Sequence, residues 1–187
     1  MGQMIELVST SISGLYQLKP KLIKDERGYF FRYYCKKELK GVCKGTEFVQ
    51  GNQTLTRAKG AVRGLHFQKP PHAEDKLVRC LAGRVFDVAV DLRTGSSTFL
   101  SWFGCELNSE AHNMLYIPRG FAHGFQTLEE NCTMLYLHSE YYSSDSEAGV
   151  HINDSRLKIS WPLPVSQLSD RDQTFGPLTD DFGGLAV

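Results

Sequence analysis

Two stretches of this 187-residue chain hold residue types suited to proton transfer. The first reads Arg63-Gly64-Leu65-His66-Phe67-Gln68 and continues, after a Pro-Pro turn, as Lys76-Leu77-Val78-Arg79. The second reads Ile117-Pro118-Arg119-Gly120-Phe121-Ala122-His123-Gly124-Phe125. Each sets a histidine inside an apolar, strand-like segment, and the first adds a lysine and two arginines. Imidazole with its ordinary pKa of about 6.5 is a suitable base at neutral pH. A lysine can stabilise a developing oxyanion, and arginines bind phosphates through paired N–H groups. Together these are the parts needed to abstract a proton beside a ketone on a nucleotide-linked sugar. Reprotonation from the opposite face requires a second group across the sugar ring, and Tyr136, on another strand, is suited to it.

Strands must position these groups. Residues 84–92 alternate Phe86, Val88, Val90 and Leu92 with Asp87, Ala89 and Asp91, the period of a β-strand. Residues 76–81 precede them across Ala82-Gly83 as an expected hairpin. Further strands are expected over 48–56, 61–68, 98–107, 113–117, 123–128 and 132–138. Helical signals are weak, at 36–40 and at a turn near 166–170. Many short strands with Gly and Pro punctuation predict an all-β fold, a jelly roll or β-sandwich barrel with few short helices. No linker or internal repeat divides the chain, so one domain over residues 1–187 is expected.

The interior of a small β-barrel can hold a ligand. Parity then places Met134, Tyr136 and His138 on one face, with His123, Phe125 and Thr127, then Gly64, His66 and Gln68, and finally Lys76, Val78 and Cys80 grouped likewise. A pocket lined by His66, Lys76, His123 and Tyr136 is compatible with this. Arg63 and His66 are three apart and point to opposite faces of a regular strand. Either Gly64 marks a bulge, or Arg63 serves another part of the ligand.

Composition narrows the classes. Lys and Arg total 21 and Asp and Glu total 21, so there is no net positive field to hold nucleic acid. No apolar run approaches a membrane span, and no basic region precedes an apolar run at the N-terminus. Five cysteines, an odd number without a Cys-x-x-Cys pair, read as reduced thiols in a cytoplasmic protein. Cys80 and Cys132 read as core residues, and His72, His112 and His151 as surface residues.

The ordered set of segments resembles the dTDP-4-dehydrorhamnose 3,5-epimerase family. It begins at Asp25-Glu26-Arg27-Gly28-Tyr29-Phe30 and Phe48-Val49-Gln50-Gly51-Asn52, and runs through the two stretches above. It ends with Tyr141-Tyr142, Asn153-Asp154, Trp161-Pro162 and Leu168-Ser169-Asp170-Arg171-Asp172. The resemblance implies a cupin-type jelly roll, usually a homodimer with strands shared across the interface, and neither metal nor redox cofactor. It implies His66 as base paired with Asp172, Tyr136 as acid, and Lys76 and His123 near the keto oxygen and the base. Arg27, Gln50, Asn52, Arg63, Glu147 and Arg171 fall at ligand-contact positions, and Tyr142 at an aromatic that stacks on the nucleotide base.

The chain departs from the family pattern at several positions. Arg32 stands where a glutamate usually contacts the nucleotide, which suits cytosine better than thymine and raises a CDP-linked substrate as an alternative to dTDP. Gly51, Leu137, Ile152 and Ser155 replace a usual aspartate, lysine, tryptophan and proline. Other functions compete. A metal-dependent cupin would share Pro118-x-Gly120-x-x-His123, but Gln68 stands where a His-x-His pair needs its second histidine, and Lys76 would repel a cation. A sugar 3,4-ketoisomerase would use a related enolisation, and a non-catalytic nucleotide-sugar binding module would use the pocket alone. Whether carbon 3, carbon 5 or both are inverted is open at this level, as are the product sugar and the pathway.

Overall fold

A computed structural model describes residues 3–43 and 46–187. Six strands form one antiparallel sheet, in the order β1 (Ile5–Ser9), β2 (Tyr16–Pro20), β10 (Met114–Ile117), β7 (Lys76–Ala82), β12 (Cys132–His138) and β5 (Gln50–Thr56). Five form a second, in the order β13 (Glu147–Gly149), β6 (Val62–Gln68), β11 (Phe121–Thr127), β8 (Arg84–Asp91) and β9 (Trp102–Asn108). A separate hairpin joins β3 (Ile23–Asp25) to β4 (Gly28–Phe30). Helix is confined, among the described residues, to α1 (Lys40–Cys43) and α2 (Asp170–Thr174). This is the expected all-β, cupin-like fold.

The two sheets pack face to face. Part of the space between them is filled by Val78, Cys80, Met134, Val85, Ala89, Leu115, Phe121 and Phe125, all buried. Cys80 and Cys132 are core residues, as expected, and all five cysteines are free. The outer face of the five-stranded sheet (Leu65, Val88, Val90, Ala122) is covered by the C-terminal segment through Leu157, Trp161, Leu178 and Leu185. The outer face of the six-stranded sheet packs on Leu39, Val42 and Cys43. Strand β8 is therefore buried on both sides, and its apolar row Phe86, Val88 and Val90 faces outward while Val85, Asp87 and Ala89 face between the sheets.

Most expected strands are present with ends shifted by a few residues, and 132–138 coincides with β12. The expected hairpin between β7 and β8 does not form. Strand β7 pairs with β10 and β12, whereas β8 pairs with β11 and β9, so the chain crosses between sheets at Gly83. Only Gly83 separates the two strands, too short for the usual two-residue hairpin loop. Its φ of 76° and the Cys132 sulfur against it favour glycine at this corner. Residues 36–39 form turns that lead into α1, and the C-terminal helix begins at Asp170 rather than ending there. Strands β1 to β4 and β13 were not expected, being short and mixed in polarity. His112 is buried, not at the surface: its ring lies 4.7 Å from Tyr29 and 4.6 Å from Phe31, which cover it from the β3–β4 region. His72 and His151 are half-buried.

Strand β6 carries the irregularity that shapes the site. His66 lies opposite His123 and Arg63 opposite Phe125, so three steps on β6 match two on β11. The extra residue falls between them, at Gly64, with φ 125°. A Cβ there would lie 2.6 Å from Gly124 Cα and 2.9 Å from His123 O. Both neighbours are backbone and cannot yield cheaply. Gly64→Ala is expected to cost at least about 3 kcal/mol, since strain and backbone overlap add; denaturant unfolding measures it.

An acid-sensitive knot ties the end of β8 to the following loop. Asp91 accepts from Arg93, Ser96 and Thr98. Burial alone would raise its pKa, but these partners outweigh it and hold the carboxyl at about 2. A lowered folded-state pKa means stability that is full above the unfolded value near 4 and lost as pH falls toward about 2. The contribution is about 2 kcal/mol on this linkage. Asp91→Asn is expected to flatten the fall of Tm over that range while lowering Tm at neutral pH.

Candidate active site

Next to the apolar filling, with Phe125 and Tyr136 touching both, lies a cavity of about 240 Å³ between the sheets. The five-stranded sheet contributes Arg63, His66, Gln68, His123 and Glu147, and the six-stranded sheet contributes Gln50, Asn52, Thr54, Lys76, Tyr136 and His138. Tyr142 and Arg171 stand at its rim, both exposed. The parity grouping thus assembles His66, Lys76, His123 and Tyr136 around one space. The bulge at Gly64 settles the conflict over spacing, because it turns both Arg63 and His66 into the cavity.

The bulge also frees the Gly64 amide from the ladder. That N–H donates to Asp172 Oδ2 at 3.1 Å, while Asp172 Oδ1 lies 2.7 Å from His66 Nε2. Asp172 is held in turn by α2, where its own N–H donates to the Ser169 cap. Burial disfavours ionisation of Asp172, but the His66 contact, the Gly64 amide and Ser169 outweigh it and lower its pKa. An ionised Asp172 accepts a hydrogen bond from His66 Nε2–H and so fixes the tautomer, leaving Nδ1 unprotonated and without a hydrogen-bond partner among the described residues. Arg171 Nη2 also lies 3.1 Å from Nε2, and its other amine binds Glu147 at 2.8 Å. One nitrogen cannot donate to Asp172 and accept from Arg171; the shorter bond to a carboxylate decides the assignment.

Tyr136 approaches from the facing sheet. Its hydroxyl meets Thr54 Oγ1 at 3.3 Å. Burial pushes the phenol well above its usual range, so the proton stays on oxygen, with the Thr54 bond opposing weakly. His123 Nε2 lies 3.0 Å from each Asp87 oxygen, and both residues are buried. Lys76 Nζ lies 3.2 Å from Glu74 Oε1, and Glu74 Oε2 takes a 2.8 Å bond from His138 Nδ1. Arg63 is steadied by Thr56 Oγ1 at 2.8 Å and Leu55 O at 3.3 Å. Tyr142 donates its hydroxyl to Glu147 at 3.1 Å and its amide to Gln50 at 3.1 Å.

Two expected contact residues lie outside the cavity. Arg27 projects from the β3–β4 turn, with 90% of its side chain exposed, and pairs with Asp25. Arg32 is bound by Glu38, which also accepts from the Met4 and Ile5 amides. Three cavity neighbours escaped the sequence reading as site residues. His138 shares the parity of Tyr136, and that signal was available. Asp87 alternates with apolar residues in β8, a pattern that alone reads as a solvent face. Glu74 lies in a loop and carries no periodic signal. Among the described residues, no group of three His, Cys, Asp or Glu side chains is arranged to hold a metal ion.

Comparison with known proteins agrees with this geometry. A family model described as dTDP-4-dehydrorhamnose 3,5-epimerase matches residues 9–180. The dTDP-4-dehydrorhamnose 3,5-epimerase of Salmonella typhimurium is 42% identical over 95% of this chain and 97% of its own length. The crystal structure of the enzyme of that name from Elizabethkingia anophelis superposes with a TM-score of 0.90 at 42% identity, covering 96% of this chain and 99% of the other. That of the Legionella pneumophila dTDP-6-deoxy-D-glucose-3,5-epimerase, in complex with dTDP-4-keto-L-rhamnose, gives 0.87 at 40% identity over 92% of each chain. A jelly roll whose two sheets close on a histidine–aspartate pair and a facing tyrosine, matched over nearly its whole length, places this chain in the dTDP-4-dehydrorhamnose 3,5-epimerase family.

Proposed function

We propose that this chain epimerises carbons 3 and 5 of a dTDP-linked 4-keto-6-deoxyhexose, as a single catalytic domain over residues 1–187. The observation that carries the reading is the placement of His66 and Tyr136 on facing sheets around one cavity. His66 Nδ1 takes the proton from the carbon beside the ketone. The electron pair moves into an enolate, whose oxygen Lys76 stabilises. Tyr136 returns a proton from the other side, inverting the centre, and His123, oriented by Asp87, supports the keto end. Asp172 steadies the imidazolium that forms, the orienting role known from triads. After the first inversion the same pair serves the second carbon once the ring has shifted.

Arg63, Gln50, Asn52, Glu147 and Arg171 line the remainder of the cavity and suit the diphosphate and nucleoside, with Tyr142 stacking on the base. The Legionella relative's complex with a dTDP-linked keto sugar supports this class of substrate. Arg32 commits its guanidinium to Glu38 and is not among the residues lining the cavity. Five free cysteines support a cytoplasmic setting. No helix among the described residues is long and apolar enough to cross a membrane.

His66→Asn is expected to lower kcat by roughly a thousandfold, within the range for loss of a general base. Tyr136→Phe is expected to lose turnover yet still exchange the substrate's C–H for solvent deuterium, since abstraction precedes reprotonation. NMR in deuterated water with dTDP- and CDP-linked 4-keto-6-deoxyglucose reads both events and the exchanged carbons. Full turnover by His66→Asn, or preference for the CDP sugar, contradicts the reading.

The same proposal includes a homodimer. The β3–β4 hairpin exposes Ile23, Tyr29 and Phe30 to between 47% and 58%, an apolar projection that suits burial against a second copy. Arg27 on that hairpin then reaches the partner's cavity rather than its own. Arg27→Ala and His66→Asn chains, each inactive alone, are expected on co-refolding to recover about a quarter of wild-type activity, because half the dimers are mixed and each mixed dimer holds one intact site. Sites built within one chain would show no recovery.

A further inference from the structure

A chain of hydrogen bonds with one fixed direction runs along the wall of the cavity. Its anchor is a backbone group that can only donate: Tyr142 N–H, 3.1 Å from Gln50 Oε1. That contact sets the Gln50 amide, so Gln50 Nε2 donates to Asn52 Oδ1 at 3.4 Å. Asn52 Nδ2 is left to donate to His138 Nε2 at 3.3 Å. His138 Nε2 is then an acceptor, and its proton lies on Nδ1, which donates to Glu74 Oε2 at 2.8 Å. Glu74 Oε1 receives Lys76 Nζ at 3.2 Å. Strand pairing supports the order, since His138 lies opposite Gln50 on β5 and opposite Lys76 on β7.

The last step matters for charge. Glu74 and Lys76 are each only 9% exposed at the side chain. Burial raises the Glu74 pKa, but the His138 bond and the Lys76 charge outweigh it and keep it lowered. An ionised carboxylate beside a lone ammonium would turn both oxygens onto it and cancel the field it offers a substrate oxygen. His138 occupies one of those oxygens. We propose that His138 is a positioning residue that restrains Glu74 through Nδ1–H, so that Lys76 keeps its ammonium turned to the cavity. The inference rests on the reading of Lys76 as the enolate-stabilising group.

Three substitutions separate this role from simple packing. An asparagine at 138 keeps an amide donor near the Nδ1 position, a glutamine keeps a polar group near the Nε2 position, and a leucine keeps neither. His138→Asn is expected to retain kcat within about threefold, whereas His138→Gln and His138→Leu lose roughly tenfold or more in kcat with KM nearly constant, the pattern of a contact felt in the transition state. Equal activity in all three, or rescue by glutamine and not asparagine, overturns the proposal. A second readout needs no turnover. Nitrogen-15 NMR of the full ligand-free chain is expected to show His138 protonated at Nδ1 and bare at Nε2. An Nε2–H tautomer overturns the proposal whatever the kinetics. Failure of the wild type to turn over dTDP-linked 4-keto sugar would instead count against the enzymatic reading, while the NMR result still decides the relay.

Discussion

The site depends on one carboxylate with two donors. Asp172 binds the Gly64 amide and the His66 ring together. A regular ladder would have consumed that amide, and a regular strand would have sent Arg63 and His66 to opposite walls. A single extra residue in β6 removes both obstacles. The glycine is required by its positive φ and by the closeness of the β11 backbone. Fold and chemistry meet at this irregularity, and the ionised state of Asp172 follows from its buried partners rather than from exposure.

The space between the sheets is divided. Buried apolar side chains fill one part, and mostly polar groups line the adjoining cavity. Nearly every polar group there is held by a second one: His66 by Asp172, His123 by Asp87, Lys76 by Glu74, and Arg63 by Thr56. Such pairing is the condition under which charges persist in a largely enclosed space. It also fixes tautomers and proton positions before any substrate arrives, so little reorganisation accompanies reaction.

Much of this was legible in residue order. Period-two patterns in β7, β8, β11 and β12 reveal the all-β class, and parity groups His66, Lys76, His123 and Tyr136, which line one cavity. Parity fails where the backbone departs from regularity, and the pairing partner of a strand is not encoded in its own pattern. Hence Arg63 stayed ambiguous, and β7 and β8 looked like a hairpin although they belong to different sheets. Asp87 and Glu74 were invisible because an isolated acid in a strand or loop ordinarily faces water. His112 misled for the converse reason: its cover comes from aromatic residues some eighty positions earlier, on and just after a hairpin too short to announce itself.

The C-terminal region has a temporal consequence. His66 and Asp172 are 106 residues apart in sequence, and the segment bearing Asp172 also roofs the outer face of the five-stranded sheet. During synthesis the strands of both sheets emerge from the ribosome before that roof exists. The nascent jelly roll therefore holds His66 without Asp172, and the pair forms only when the segment bearing that acid docks.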